Sequence, residues 1–264
     1  MAMHADRIRL IDSHTHLDFP DFEDDRTLML QRAKAVGITD IVVAGVTAAN
    51  WPRLRDVCAS ARDIPRMHAC YGLHPEFMDD HEDTHLDALG EWLQRESAVA
   101  LGECGLDFHD PAAESERQLH FFRRQLALAR ELQLPVIIHA RKAVEAVILA
   151  LRAAGSLCGV VHSFGGSIEQ ARQLWDLGFH IGLGGPVTHD GSHRLHRLVK
   201  AVPMEQILLE TDAPDQPGAA HRGHRNEPSF LNDVLATISR LRDLPRETVA
   251  KATTANARRL FGLP

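Results

Sequence analysis

The stretch Leu10-Ile11-Asp12-Ser13-His14-Thr15-His16 decides how the rest of the chain is read. A short apolar run, Ile8 to Ile11 interrupted by Arg9, leads into two histidines one residue apart. Alternate side chains of an extended segment share a face, so His14 and His16 are expected to aim two imidazoles at one point. Imidazole ligates zinc, copper, iron and nickel. A His-x-His pair alone does not make a metal site, so the remaining ligands have to come from elsewhere in the chain.

Outward from that stretch, short apolar runs alternate with segments of helical period. Strands are expected at 38–46, 66–71, 98–101, 136–138, 157–161, 179–183 and 206–210, after the first one. Helices are expected at 26–36, 50–62, 81–96, 114–133, 144–154, 168–177 and 193–201, with two more, 229–242 and 246–260, at the end. The clearest is 114–133, where Leu119, Phe122, Leu126, Ala129 and Leu132 recur at three- and four-residue steps. Eight strands alternating with helices, with no linker or low-complexity segment between them, predict a single (β/α)8 TIM barrel spanning residues 1–264. A doubly wound open sheet is the alternative. The absence of a Gly-x-Gly-x-x-Gly loop after the first strand weighs against it.

Composition narrows the class. The 264 residues are 44% hydrophobic and 25% charged, enough for a full core. A net charge of −7 is not that of a dedicated nucleic-acid binder, so any nucleic-acid contact must be local or helped by a cation. Cys58, Cys70, Cys104 and Cys158 form no Cys-x-x-Cys pair, which suits reduced cysteines. Residues 1–7 contain no apolar signal-peptide core, and no run approaches the roughly 20 apolar residues of a membrane span. The expectation is a cytoplasmic enzyme with no membrane contact and no obligate protein partner.

In such a barrel the functional groups come from the C-terminal ends of the strands. The first strand ends in His14 and His16, the fourth in Glu103, the fifth in His139, the sixth in His162 and the eighth in Glu210-Thr211-Asp212. Each alone has a structural explanation; their coincidence at one mouth points to metal binding. His14, His16, Glu103, His139, His162 and Asp212 exceed the four ligands of one tetrahedral zinc, which points to two divalent ions. A carboxylate can bridge, and Glu103 lies between the histidine groups in barrel order. A two-metal centre polarises a substrate oxygen and activates a water, whose proton Asp212 is placed to accept. The ligand types fit zinc, manganese or another first-row ion. His81, His85, His120, His180, His189, His193 and His196 show no convergent pattern on helices or loops, and Asp79 to Asp83 reads as a solvated helix start.

The segments Asp12-Ser13-His14-Thr15-His16-Leu17, Gly72-Leu73-His74-Pro75, Gly102-Glu103-Cys104-Gly105-Leu106-Asp107, His139-Ala140-Arg141, His162-Ser163-Phe164 and Glu210-Thr211-Asp212-Ala213-Pro214 resemble the TatD family of metal-dependent hydrolases. Asn256-Ala257-Arg258-Arg259-Leu260-Phe261 resembles its closing helix. The resemblance implies a barrel hydrolase with two divalent ions (Zn, Mn or Mg) and phosphodiesterase activity on DNA, of the 3′-to-5′ exonuclease kind. It assigns His14, His16, Glu103 and Asp212 to one ion and Glu103, His139 and His162 to the other. Glu103 and Asp212 are then the catalytic carboxylates, and His74 and Arg141 candidate phosphate contacts. Arg225, with Arg222, is a further candidate for holding phosphates of a single-stranded end or short oligonucleotide. The loop Arg222-Gly223-His224-Arg225-Asn226-Glu227-Pro228 carries His224 where the family often has lysine, and Asp215-Gln216 stands where many members have an aromatic residue. The second departure resembles a YjjV-like branch most closely. An amidohydrolase or esterase acting on a small molecule is the competing expectation, because the metal-activated nucleophile is the same.

Overall fold

The computed structural model describes residues 8–60, 65–110 and 114–264. Eight parallel strands are hydrogen-bonded in sequence order: β1 (Leu10–Thr15), β2 (Ile38–Ala44), β3 (Arg66–Tyr71), β4 (Ala100–Asp107), β5 (Val136–Arg141), β6 (Gly159–Val161), β7 (Phe179–Leu183) and β8 (Ile207–Leu209). Between them run α1 (Arg26–Ala35), α2 (Trp51–Ser60), α3 (Asp83–Arg95), α4 (Ser115–Leu132), α5 (Val144–Ala154), α6 (Ile168–Asp176) and α7 (His193–Ala201), followed by α8 (Leu231–Arg242) and α9 (Arg246–Phe261). This is the expected (β/α)8 barrel. The seam between β8 and β1 is a parallel bridge between Thr15 and Ala213. There His16 N donates to Ala213 O (2.8 Å) and Asp212 N to His14 O (3.0 Å). Thr211 reinforces it, donating to the Asp12 carboxylate from N (3.0 Å) and Oγ1 (2.6 Å). No helix among the described residues is long and apolar enough to cross a membrane.

The strand pattern explains how the site is positioned. Ile41 and Val43, Val136 and Ile138, Val161, and Ile207 and Leu209 pack under the helices in one large core. Residues one step out of phase with them (Val42, Ala44, Ile137, Val160 and Leu208) form a second cluster with Ile11, Cys70 and Ala100. Alternation puts that cluster inside the barrel. Ala257, Leu260 and Phe261 of α9 and the following Leu263 pack against it. Two residues after Ile137, Val160 and Leu208 come His139, His162 and Glu210, so the same inward rows continue as polar groups.

Several boundaries differ from expectation, β5 for one running on to Arg141, and two of them bear on the site. Strand four was expected over 98–101, ending in Gly102-Glu103-Cys104-Gly105; β4 instead runs from Ala100 to Asp107, with a register shift between Leu101 and Cys104. The glycines reflect crowding between strands. Gly105 has φ +142°, and a Cβ there would stand 2.1 Å from His139 O. Helix three was expected from His81 but starts at Asp83, because Pro75–Asp80 forms a 3-10 turn and His81 is buried with Nε2 2.9 Å from His74 O. His180, expected on a helix or loop, lies in β7. The last residues of the expected helix 50–62 and the N-terminal segment 1–7 lie outside the described residues.

Candidate metal centre

The Glu103 carboxylate sits at the middle of the histidine-rich mouth, 1% exposed. Its Oε2 is 3.1 Å from His14 Nε2 and 3.3 Å from His16 Nε2. Its Oε1 is 2.7 Å from His162 Nε2, 2.9 Å from His74 Nε2 and 3.0 Å from His139 Nδ1. Asp212 Oδ1 joins the first side, 3.3 Å from His14 Nε2 and 3.5 Å from His16 Nε2. One carboxylate thus presents one oxygen to each of two histidine sets. All six residues expected as ligands meet here.

The donor chemistry fits a cation. His16 Nδ1 is 3.0 Å from Ala44 O, so it carries the proton and leaves the Nε2 lone pair facing inward. His139 Nε2 is 2.8 Å from Asp107 Oδ2, which leaves its Nδ1 facing inward. These free nitrogens stand 3.2 Å from His14 Nε2 and from His162 Nε2 respectively. Two nitrogens at that distance in a buried site call for a shared proton or a cation. Glu103 Oε2 and the Nδ1 atoms of His14 and His162 are buried without a hydrogen bond. Triplets His14–His16–Asp212, His14–Glu103–His162 and His74–Glu103–His139 each bring ligand atoms within 4.8 Å of one another. His74 differs in kind. Its Nδ1 accepts from Glu76 N (3.1 Å), so its Nε2 carries hydrogen and donates to Glu103.

The electrostatics agree. Burial opposes charge on His14, but Glu103 and Asp212 outweigh it and push the imidazole up to about 10. Burial likewise opposes charge on His139, and Asp107 and Glu103 raise it to about 9. Burial works against the Glu103 carboxylate too, yet the surrounding imidazoles hold it well below the ordinary range. The site is a socket that draws in positive charge. His74 goes the other way: burial brings it down to about 4 and keeps it neutral.

Several supporting residues are not legible as functional in the sequence. Asp107 holds His139, and Gln118 of α4 fixes Asp107 by accepting from its N (2.8 Å) and donating to its O (3.0 Å). Gln216 donates to Asp212 Oδ2 (2.5 Å) and accepts from Ser163 Oγ (2.7 Å), which orients its amide. Glu210, expected only as part of a strand end, is buried beside His162. Its Oε1 accepts from Ser163 N (2.5 Å), and its Oε2 lies where a Cβ on Gly182 would come within 2.0 Å. Burial raises this carboxyl to about 8. Asp212, Ser163 and Gln216 have φ of 61°, 43° and 51°, a sparsely populated conformation concentrated at this rim.

The mouth opens into a cleft of about 940 Å³ lined by His74, Arg141 and the cluster residues other than His14, and by Lys142 and Arg194, which the sequence does not single out. Arg141 Nη1 pairs with Glu76 (3.1 Å) at its edge. Arg225 is not brought to the cleft. Its guanidinium grips Asp25 at 2.8 and 2.9 Å and lies over Phe22, 4.5 Å from the ring centroid. Arg222 Nη2 lies 3.1 Å from His189 Nδ1 and His224 is exposed; neither lines the cleft. The loop after β8 is tied to α1 and the residue before it through Arg225 with Asp25 and Glu227 with Arg32. The expected role of Arg225 is therefore corrected: a fork that matches a carboxylate as well as a phosphate found its carboxylate within the chain.

A barrel with a buried histidine–carboxylate cluster at the C-terminal ends of its strands has the form of a metal-dependent hydrolase. Comparison with known proteins narrows that class. A family model described as TatD related DNase matches residues 11–262, and the chain belongs to the TatD family. It is 37% identical over 259 residues to the uncharacterized metal-dependent hydrolase YjjV of Escherichia coli, covering 97% of this chain and 99% of that one. It is 36% identical over 254 residues to the uncharacterized metal-dependent hydrolase YabD of Bacillus subtilis, covering 96% and 98%. The crystal structure of Escherichia coli YjjV, a TatD homologue, superposes with a TM-score of 0.93 over 97% of this chain and 99% of that one, at 36% identity.

Proposed function

We propose that this hydrolase cleaves phosphodiester bonds of DNA, working from a single-stranded end in the 3′-to-5′ direction. The observation that carries the reading is the Glu103 carboxylate with one oxygen toward His14 and His16 and the other toward His139 and His162. We assign His14, His16, Glu103 and Asp212 to one divalent ion and Glu103, His139 and His162 to a second, zinc, manganese or magnesium. Ions bound there supply Lewis acidity toward a phosphate oxygen and acidify water.

The chain's own groups do the rest. Asp212 accepts the proton of the attacking water as the new P–O bond forms. Its Oδ1 faces the His14 and His16 ring nitrogens while Gln216 holds Oδ2. The old P–O bond breaks and its 3′ oxygen leaves as a hydroxyl, taking a proton from water in the open cleft. His74, neutral, spends its single N–H on Glu103 and so steadies that carboxylate beside the reacting phosphate, and Arg141 contributes charge at the cleft edge. The four free cysteines suit a reducing cytoplasm.

The test is cleavage of a short labelled oligonucleotide by protein loaded with manganese or magnesium, beside Asp212→Asn. Asn tolerates the positive φ of this position. The variant is expected to keep its fold and lose turnover about 100- to 10,000-fold, the usual contribution of a positioned base. An intact oligonucleotide in a preparation that hydrolyses esters or amides would overturn the assignment in favour of a small-molecule hydrolase.

A further inference from the structure

The cleft has two unlike walls. On the side of β1 to β3 it is lined by Phe19, Val46 and Phe77. Phe19 stacks on His16 with ring centroids 5.0 Å apart, and Phe77 meets His74 edge-on at 5.7 Å. On the side of β5 to β7 it is lined by Arg141, Lys142 and Arg194. Those three strands are neighbours in the sheet, so the cations form an arc beside His139 and His162.

The three cations are not equivalent. Arg141 is already paired with Glu76. Lys142 and Arg194 are exposed, and among the described residues neither side chain has a hydrogen bond or ion pair. Arg194 lies at the start of α7 and reaches across Gly165, its Nη2 being 3.6 Å from where a Cβ on that glycine would stand. Gly165 and Gly166 put no side chain between the guanidinium and the cleft. The carboxylate of Glu145 also lines this wall, and its Oε2 is engaged by Gln170 Nε2 at 3.4 Å. Two cations without partners on one wall of a cleft, facing aromatic rings on the other, match a strand that is anionic along its backbone and flat at its bases.

We propose that Arg194 and Lys142 form an anion subsite for the phosphate next to the one hydrolysed, with the base beyond the scissile bond lying against Phe19 and Phe77. The inference rests on the phosphodiesterase reading and sharpens it: the substrate is an oligonucleotide, selected over an isolated phosphodiester by its second phosphate. It also replaces the loop of Arg222 and Arg225 as the part of the chain that holds flanking phosphates. The guanidinium offers two parallel N–H groups to that phosphate, whereas the ammonium of Lys142 acts as a point charge.

Two measurements test this, on Arg194→Ala, Arg194→Lys and Lys142→Ala, all with the metal-loaded protein. The first compares kcat/KM for a short oligonucleotide with that for bis(p-nitrophenyl) phosphate, which has no second phosphate. The oligonucleotide-to-diester ratio is expected to fall about tenfold in Arg194→Ala, through KM, and to recover in part in Arg194→Lys, in line with one lost bidentate contact. The second follows binding of a hydrolysis-resistant phosphorothioate oligonucleotide against salt. The slope of log K on log salt is expected to shrink by about 0.7 for each lost phosphate contact. An unchanged ratio together with an unchanged slope overturns the subsite, and so does an equal loss on both substrates. If the wild-type protein hydrolyses neither substrate, the phosphodiesterase reading falls, and the salt slope alone then decides whether Arg194 and Lys142 bind a polyanion.

Discussion

Asp107 shows what a single side chain contributes to this mouth. Its Oδ2 accepts from His139 Nε2–H, which fixes the tautomer and turns Nδ1 toward Glu103. Histidines that bind metals usually depend on such a partner, and losing it commonly costs about 10- to 100-fold in metal affinity. Asp107→Ala is therefore expected to weaken divalent-metal binding by about that factor, measured by calorimetric titration, while Asp107→Asn, which still offers an acceptor, loses less. Equal affinity in wild type and Asp107→Ala would show that His139 is oriented by packing alone. The histidines themselves were legible in the sequence, because an apolar run ending in histidine is a local pattern. Asp107 was not, although it is four residues beyond Glu103 and so on the same face of an extended strand. The strand was expected to end in Gly102-Glu103-Cys104-Gly105, which stops short of it.

At the scale of elements, glycine is the residue that misleads and buried polar ladders are what the sequence hides. The glycines of β4 permit close approach to β5; they do not end the strand. The loop after β8 is the converse case. Its basic residues read as ligand contacts, yet Arg225 and Arg32 tie it to Asp25 and Glu227, closing it over α1. No local pattern distinguishes an arginine that will meet a phosphate from one that will meet an aspartate in a distant helix. The pairing of β2 with β3 carries another hidden group. Asp40 is fully buried, its Oδ1 2.9 Å from Arg66 Nε and from His68 Nε2, and its Oδ2 accepts from Thr39 Oγ1 at 2.8 Å. Burial opposes the charge, but these donors together hold the carboxyl below its ordinary value. A depressed carboxylate stabilises the fold above its unfolded pKa, and that contribution is lost as pH falls through the folded value. Asp40→Ala is expected to cost about 1–3 kcal/mol at neutral pH by urea denaturation. The gap to wild type should narrow below about pH 4. A gap of constant size down to acid pH would mean that packing, and not charge, accounts for the loss.

At the scale of the whole molecule, the site and the barrel depend on each other. The candidate ligands come from β1 and the residue after it, from β4 and β5, and from the segments after β6 and β8, so only closure of the sheet brings them together. That closure is also where the sheet is thinnest, since β1 meets β8 through one bridge and the few bonds around Asp12, His14 and Thr211. A cation held by His14, His16 and Asp212 would sit across this seam and tie its two sides together. A ligand present at about a thousand times its Kd adds about 4 kcal/mol to stability. For a domain of this size that corresponds to a rise in Tm of roughly 8–16 °C. Dialysis against a chelator is therefore expected to lower Tm by roughly that amount, with full recovery on returning zinc or manganese. Hydrogen exchange should quicken first in β1 and in the residues after β8, because every other neighbouring pair of strands is joined at two or more paired positions. A Tm that stays within about a degree after chelation would mean that the bare cluster, with imidazolium–carboxylate pairs in place of metal bonds, holds the seam equally well. That result would separate stability from function at this mouth, and leave the metal with a chemical role alone.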